Sequence, residues 1–168
     1  GLVQPAQIAD LRRHMDAVDV PRALALEAEL QHDLMAELKV FAEQAPTGGG
    51  ILHLGATSMD IEDNADVLRM RQALDLLLTA LRSLLLDFAH QVETWAEAPL
   101  IAFTHLQPAE PSTLGYRLAG YAQDLLMDWE TLQAVHRELR GKGFKGAVGS
   151  GAAFAELIGV ENLAGFEQ

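Results

Sequence analysis

Apolar side chains recur every three or four residues through Leu26, Leu30, Leu34, Leu38 and Phe41, which is one stripe of an amphipathic helix. Asp19-Val20-Pro21 supplies its start, with Asp19 as N-cap and Pro21 in the first turn. Pro46-Thr47-Gly48-Gly49-Gly50 stops it, so the pattern predicts one continuous helix with His32-Asp33 in its middle. Ile51 to Ser58 reads as a short connector. A second pattern then begins: Met70, Leu74, Leu77, Leu81, Leu84 and Phe88 alternate steps of four and three, the seam of near-antiparallel helix packing. The helix predicted over 64–92 would be roughly 44 Å long at 1.5 Å per residue.

Trp95 to Pro111 breaks that pattern with three prolines and reads as a loop. Another long helix is predicted from Ser112, a candidate N-cap, through Leu114, Leu118, Tyr121, Leu125, Leu132, Val135 and Leu139. Asp128 occupies a position where the seam calls for an apolar residue. Gly141 to Gly151 is glycine-rich, and Gly151 to Leu157 predicts one more helical turn. The fold class expected is all-α, a short N-terminal helical layer over residues 1–59 followed by long antiparallel bundle helices over 60–168. The long pair carries too much apolar surface for a lone hairpin and calls for burial in an oligomeric bundle.

Composition narrows the class. Leu and Ala dominate and aromatic residues are only 6% of the 168 residues, which favours helix over sheet. The chain has no cysteine, excluding a disulfide scaffold and a thiolate metal site. The apolar fraction of 49% with a mean hydropathy of +0.09 belongs to a folded chain. Neither a bilayer-length apolar run nor a signal peptide is apparent, so a soluble, cytoplasmic protein without a membrane partner is expected. A net charge of −12 argues against nucleic acid as a partner. An anionic ligand would need the few cations concentrated locally, as they are at Arg137, Arg140, Lys142 and Lys145.

Gly141-Lys142-Gly143-Phe144-Lys145-Gly146 spells G-x-G-x-x-G, but it follows a predicted helix where a dinucleotide fingerprint requires a strand. Two readings remain for it: a loop whose amides and lysines face an anion, or a plain helix-to-helix turn. His32-Asp33 is either a surface pair or an Asp orienting a histidine ring and raising its basicity. His53, Thr57 and Ser58 form a polar run suited to a carboxylate or phosphate, or an ordinary turn capping the next helix. Asp60, Glu62, Asp63 and Asp66 lack calcium-loop spacing and read as a solvated helix N-terminus, where negative charge is favourable. His14, His90 and His136 sit on polar helical faces and read as solvated. The sharpest feature is Thr104-His105-Leu106-Gln107-Pro108-Ala109, a histidine and a glutamine in a proline-bounded loop between the two long helices.

Four segments then stand in a telling order: His32-Asp33-Leu34-Met35-Ala36; His53-Leu54-Gly55-Ala56-Thr57-Ser58-Met59-Asp60; Phe103-Thr104-His105-Leu106-Gln107-Pro108-Ala109; and Lys145-Gly146-Ala147-Val148-Gly149-Ser150. Together they resemble the adenylosuccinate lyases of the fumarase/aspartase superfamily, over essentially the whole chain. Argininosuccinate lyases differ at Ala56-Thr57-Ser58, and carboxymuconate cycloisomerases are the nearest rival.

The resemblance implies that the parent enzyme eliminates fumarate from adenylosuccinate, and from its carboxamide-ribotide analogue, in purine nucleotide biosynthesis. It implies no metal and no organic cofactor, and a small anionic substrate. His105 matches the family histidine that acts as general acid, and His32 a second active-site histidine that helps orient it. His53, Thr57, Ser58, Thr104 and Gln107 match substrate-lining positions, and Lys145 and Ser150 lie in a family-typical segment with contact roles. Family active sites combine residues from three subunits of a homotetramer. The general base is a serine in a mobile glycine-rich loop whose signature falls beyond Gln168, and the family's N-terminal phosphate-binding stretch is also missing. The chain is accordingly expected to be an internal fragment, inactive by itself. The alternatives are another superfamily enzyme, such as the cycloisomerase, or a non-catalytic helical assembly module.

Overall fold

The computed structural model describes residues 1–166. Its chain falls into two compact units, one built from Gly1–Asp66 and the segment from Gly141 onward, the other from Val67–Arg140. Apart from one β-hairpin the structure is helical, in agreement with the all-α expectation.

The first unit opens with α1 (Pro5–His14), α2 (Val20–Leu30) and α3 (Asp33–Gln44). Asp19 caps α2 as expected, its side chain accepting the Arg22 amide at 3.0 Å. The single helix expected across His32 is in fact two. Gln31 takes the left-handed conformation at φ 56°, its amide returning to the Glu27 carbonyl, and His32 is extended as the N-cap of α3. The two helices fold back on each other and bury Ala23 from α2 and Leu34, Ala36 and Val40 from α3, so of the expected stripe only Leu34 is buried and Leu30 is 37% exposed. An Arg22–Glu43 ion pair at 3.1 Å joins the start of α2 to the end of α3. A 3-10 turn at Gly49–Ile51 ends the layer, as the glycine run predicts.

The unit is completed by the start of α4 (Ser58–Thr94), by α6 (Ala152–Ile158) and by α7 (Leu163–Phe166). Phe144, Phe154 and Phe166 meet as an aromatic cluster with centroids 5.0–6.4 Å apart. Asp10 is buried between α1 and the glycine turn, accepting the amides of Thr47 at 2.9 Å and Gly48 at 3.0 Å.

The second unit holds the rest of α4, the hairpin β1 (Pro99–Thr104) and β2 (Gln107–Thr113), and α5 (Leu114–Glu138). The proline-bounded loop expected here is thus a two-stranded antiparallel ribbon, irregular in register between Ile101 and Phe103. Its prolines fit because β2 pairs on one side only; Pro108 and Pro111 need not donate to a ladder on the other. Thr113, one residue beyond the expected Ser112, caps α5 by accepting the Tyr116 amide at 3.1 Å. The two long helices run antiparallel. Gly115 is buried against Val92 and Ala96, where a Cβ would stand 2.7 Å from backbone atoms, and His136 Nε2 reaches Asp75 Oδ1 at 2.9 Å. His136 therefore packs against the Asp75 carboxylate with its Nε2 enclosed and is not the solvated histidine that its sequence neighbourhood predicts. No helix among the described residues is long and apolar enough to cross a membrane.

Candidate active site

The first unit carries His32, His53, Thr57, Ser58, Lys145 and Ser150. His32 owes its orientation to its N-cap role: Nδ1 lies 3.4 Å from the Met35 amide and 3.4 Å from Asp33 Oδ1. Its Nε2 faces Ser58 Oγ at 3.5 Å. An Nδ1 accepting from the Met35 amide leaves the proton of a neutral ring on Nε2, directed at that hydroxyl. His32 is exposed and borders an open cleft of about 680 Å³ with Leu24, Glu27, Gln31 and Asp33. One helical turn beyond Ser58, Glu62 has a buried Oε1 without a hydrogen-bond partner. Burial, followed by the Asp33 charge, holds its carboxyl above the usual range, while His32 opposes the shift. His53 is half-buried in the connector, and its Nδ1 is likewise enclosed without a partner.

Thr57, Lys145, Gly146 and Ser150 border a second cavity of about 350 Å³, although Thr57 and Lys145 lie far apart in sequence. A single side chain joins them. Asp60, expected on a solvated helix start, is fully buried. Its Oδ1 accepts the Lys145 amide at 3.0 Å, and its Oδ2 accepts the amides of Gly146 at 2.9 Å and Thr57 at 3.0 Å. Burial pushes this carboxyl upward, but the three amides outweigh it and hold the group below the usual carboxylate range. Asn64 adds a second tie, donating to the Asp60 carbonyl at 2.7 Å and to the Gly143 carbonyl at 3.3 Å. Lys142 pairs with Asp63 at 2.9 Å.

These contacts correct the anion-cradle reading of the glycine loop. The amides of Lys145 and Gly146 face an internal carboxylate and are not free for an anionic ligand beside this loop. Positive φ at Gly143 and Gly146 gives the loop its turns on either side of Lys145. A signal for Asp60 was present in the sequence: Thr57-Ser58-Met59-Asp60 has capping-box spacing, in which the third residue of the helix receives the N-cap amide.

The second unit carries Thr104, His105 and Gln107. Thr104 and Gln107 are the last paired residues of the hairpin, and His105-Leu106 is the two-residue turn between them. Both turn residues take positive φ, 49° for His105 and 64° for Leu106, the type I′ arrangement usually given to Asn-Gly. Neither residue has the side chain that such a turn prefers, and strained non-glycine backbone of this kind gathers at functional positions. All three polar side chains are exposed. Among the described residues no group of three or more His, Asp or Glu side chains is arranged to hold a metal ion.

The chain is 38% identical over 153 residues to the adenylosuccinate lyase of Schistosoma mansoni, a match covering 90% of this chain and 32% of that protein. It is 34% identical over 159 residues to the adenylosuccinate lyase of Saccharomyces cerevisiae, covering 94% and 33%. The chain thus spans about a third of the length of these curated relatives. Among solved structures, a fumarate lyase from Mesorhizobium sp. BNC1 superposes with a TM-score of 0.84 at 24% identity, over 91% of this chain and 37% of its own, which speaks for the fold alone. The 3-carboxy-cis,cis-muconate lactonizing enzyme of Pseudomonas putida gives 0.81 at 33% identity, over 93% and 37%. A family model described as lyase matches residues 16–164, nearly the whole chain, and the protein therefore belongs to that lyase family.

Proposed function

We propose that the parent of this chain is an adenylosuccinate lyase, a carbon–nitrogen lyase that eliminates fumarate from adenylosuccinate and from the related carboxamide ribotide in purine nucleotide biosynthesis. The observation that carries the reading is His105. A titratable side chain stands at the exposed tip of a hairpin, in a left-handed turn that fixes its backbone, within a sequence similar to adenylosuccinate lyases over nine-tenths of its length. A base removes the proton α to a carboxylate, an aci-carboxylate forms, and His105 protonates the departing nitrogen as the C–N bond breaks. The base is a serine elsewhere in the parent. His32, held as the N-cap of α3 and facing Ser58, helps to position substrate, and Thr57, Ser58, His53, Thr104, Gln107, Lys145 and Ser150 line it. In this reading the parent is a cytoplasmic homotetramer, three of whose subunits contribute to each site. Residues 1–59 belong to its N-terminal helical domain and residues 60–168 to its central bundle domain.

Replacing His105 with Gln in the full-length enzyme keeps size and some hydrogen bonding but removes the titratable proton. We expect kcat to fall by about 10² or more, with substrate affinity changing much less, the usual scale for losing a general acid. The fall should shrink for an analogue with a less basic leaving group. Unchanged kcat with a raised KM would make His105 a binding residue and send the search for the acid to His32. Similarity to the muconate lactonizing enzyme keeps a cycloisomerase as the second reading. Turnover of carboxymuconate but not adenylosuccinate by the full-length enzyme would decide for it.

A further inference from the structure

We propose that Asp60 is a positioning residue of the substrate site, holding the Thr57-Ser58 turn and the Lys145–Ser150 loop at the spacing that lets both reach one anionic ligand. The inference rests on the functional reading above. Lys145 and Asp60 are 85 residues apart in sequence, and the Asp60 carboxylate joins both segments through three backbone amides. Both oxygens are used and none of the residue is exposed. A negative charge is buried here at a cost in desolvation, and a neutral Asn would fill the same space. The convergence of three N–H donors gives the reason for the charge. Asn offers one oxygen, and its own NH₂ would face a donor. The grip continues along α4, where Asp63 pairs with Lys142 and Asn64 donates to the Gly143 carbonyl. Three positions in the first two turns of one helix therefore fix the loop, and the cavity bordered by Thr57, Lys145 and Ser150 lies where the two segments meet.

The test is Asp60→Asn in the full-length enzyme, followed by steady-state kinetics with adenylosuccinate and by amide hydrogen exchange. Removing one acceptor from a charged, buried network is expected to raise KM about tenfold while kcat stays within about threefold. Exchange at Lys145 and Gly146 should accelerate, while amides in the middle of α5 keep their protection. Faster exchange at those amides with an unchanged KM would reduce Asp60 to a fold anchor and overturn the proposal. So would unaltered exchange, or a drop in kcat alone. If Asp60→Asn does not assemble, Asp60→Glu is read instead. It keeps the charge and the capping-box contact with Thr57 but displaces the carboxylate by one methylene, and the same rise in KM is expected. Failure of the functional reading would show in the unmodified enzyme, which would release no fumarate, and would take this inference with it; failure of the inference alone shows only in the variants.

Discussion

Leu106 is the position where a substitution should improve on the native chain. It sits at φ 64° in a two-residue turn closed by the Thr104–Gln107 pair, and a Cβ in that region costs about 1–2 kcal/mol. Leu106→Gly removes the strain. It gives up almost no burial, because Leu106 is 92% exposed. Against this, glycine has a freer unfolded chain, worth about 0.5–1 kcal/mol. The balance is a stabilisation of between about 0 and 1.5 kcal/mol. Urea unfolding of the 168-residue chain would measure it, at one fixed protein concentration because any association adds a mass-action contribution. The midpoint should rise without a change in slope. Leu106→Val should move the midpoint the other way, since a β-branched residue tolerates positive φ least. A lower midpoint for Leu106→Gly would refute the reasoning, and would mean either that the turn is not left-handed in solution or that another copy covers Leu106.

The 168-residue chain should self-associate at micromolar concentration. Met70, Leu77 and Leu84 on the α4 stripe are 43–50% exposed, Gly115 is the only buried residue among those described in the second unit, and burying such a surface is worth roughly 25 cal/mol per Å². A stable, well-folded monomer in sedimentation would contradict this. Glu62→Gln should stabilise the chain at pH 7 and leave it unchanged below about pH 4. A carboxyl whose folded pKa is raised loses stability as pH rises through that value, and the amide mimics its protonated form. Equal or lower stability of the Gln variant at pH 7, read from unfolding midpoints across pH, would show that Glu62 is not strained by its charge.

Much of this protein was determined by local sequence. Asp19 and Pro21 fixed the start of α2, and Pro46 to Gly50 fixed the end of α3, because caps and breakers act through their own backbone. The four-and-three spacing of leucines determined α4 and α5, since a stripe that long has one periodicity. The order of four polar segments was enough to indicate a lyase. What sequence could not decide depended on distant partners. The helix broke at Gln31 although no glycine or proline stands there, because His32 could cap α3 while the folded-back pair buried Ala23, Leu34, Ala36 and Val40. Trp95 to Pro111 became a hairpin because two short strands satisfied each other's backbone groups, with the prolines on an open edge. Asp60 looked like any acidic residue at a helix start. Only tertiary structure brought the amides of Lys145 and Gly146 to it, and a carboxylate leaves water when enough donors converge to replace the hydration it loses.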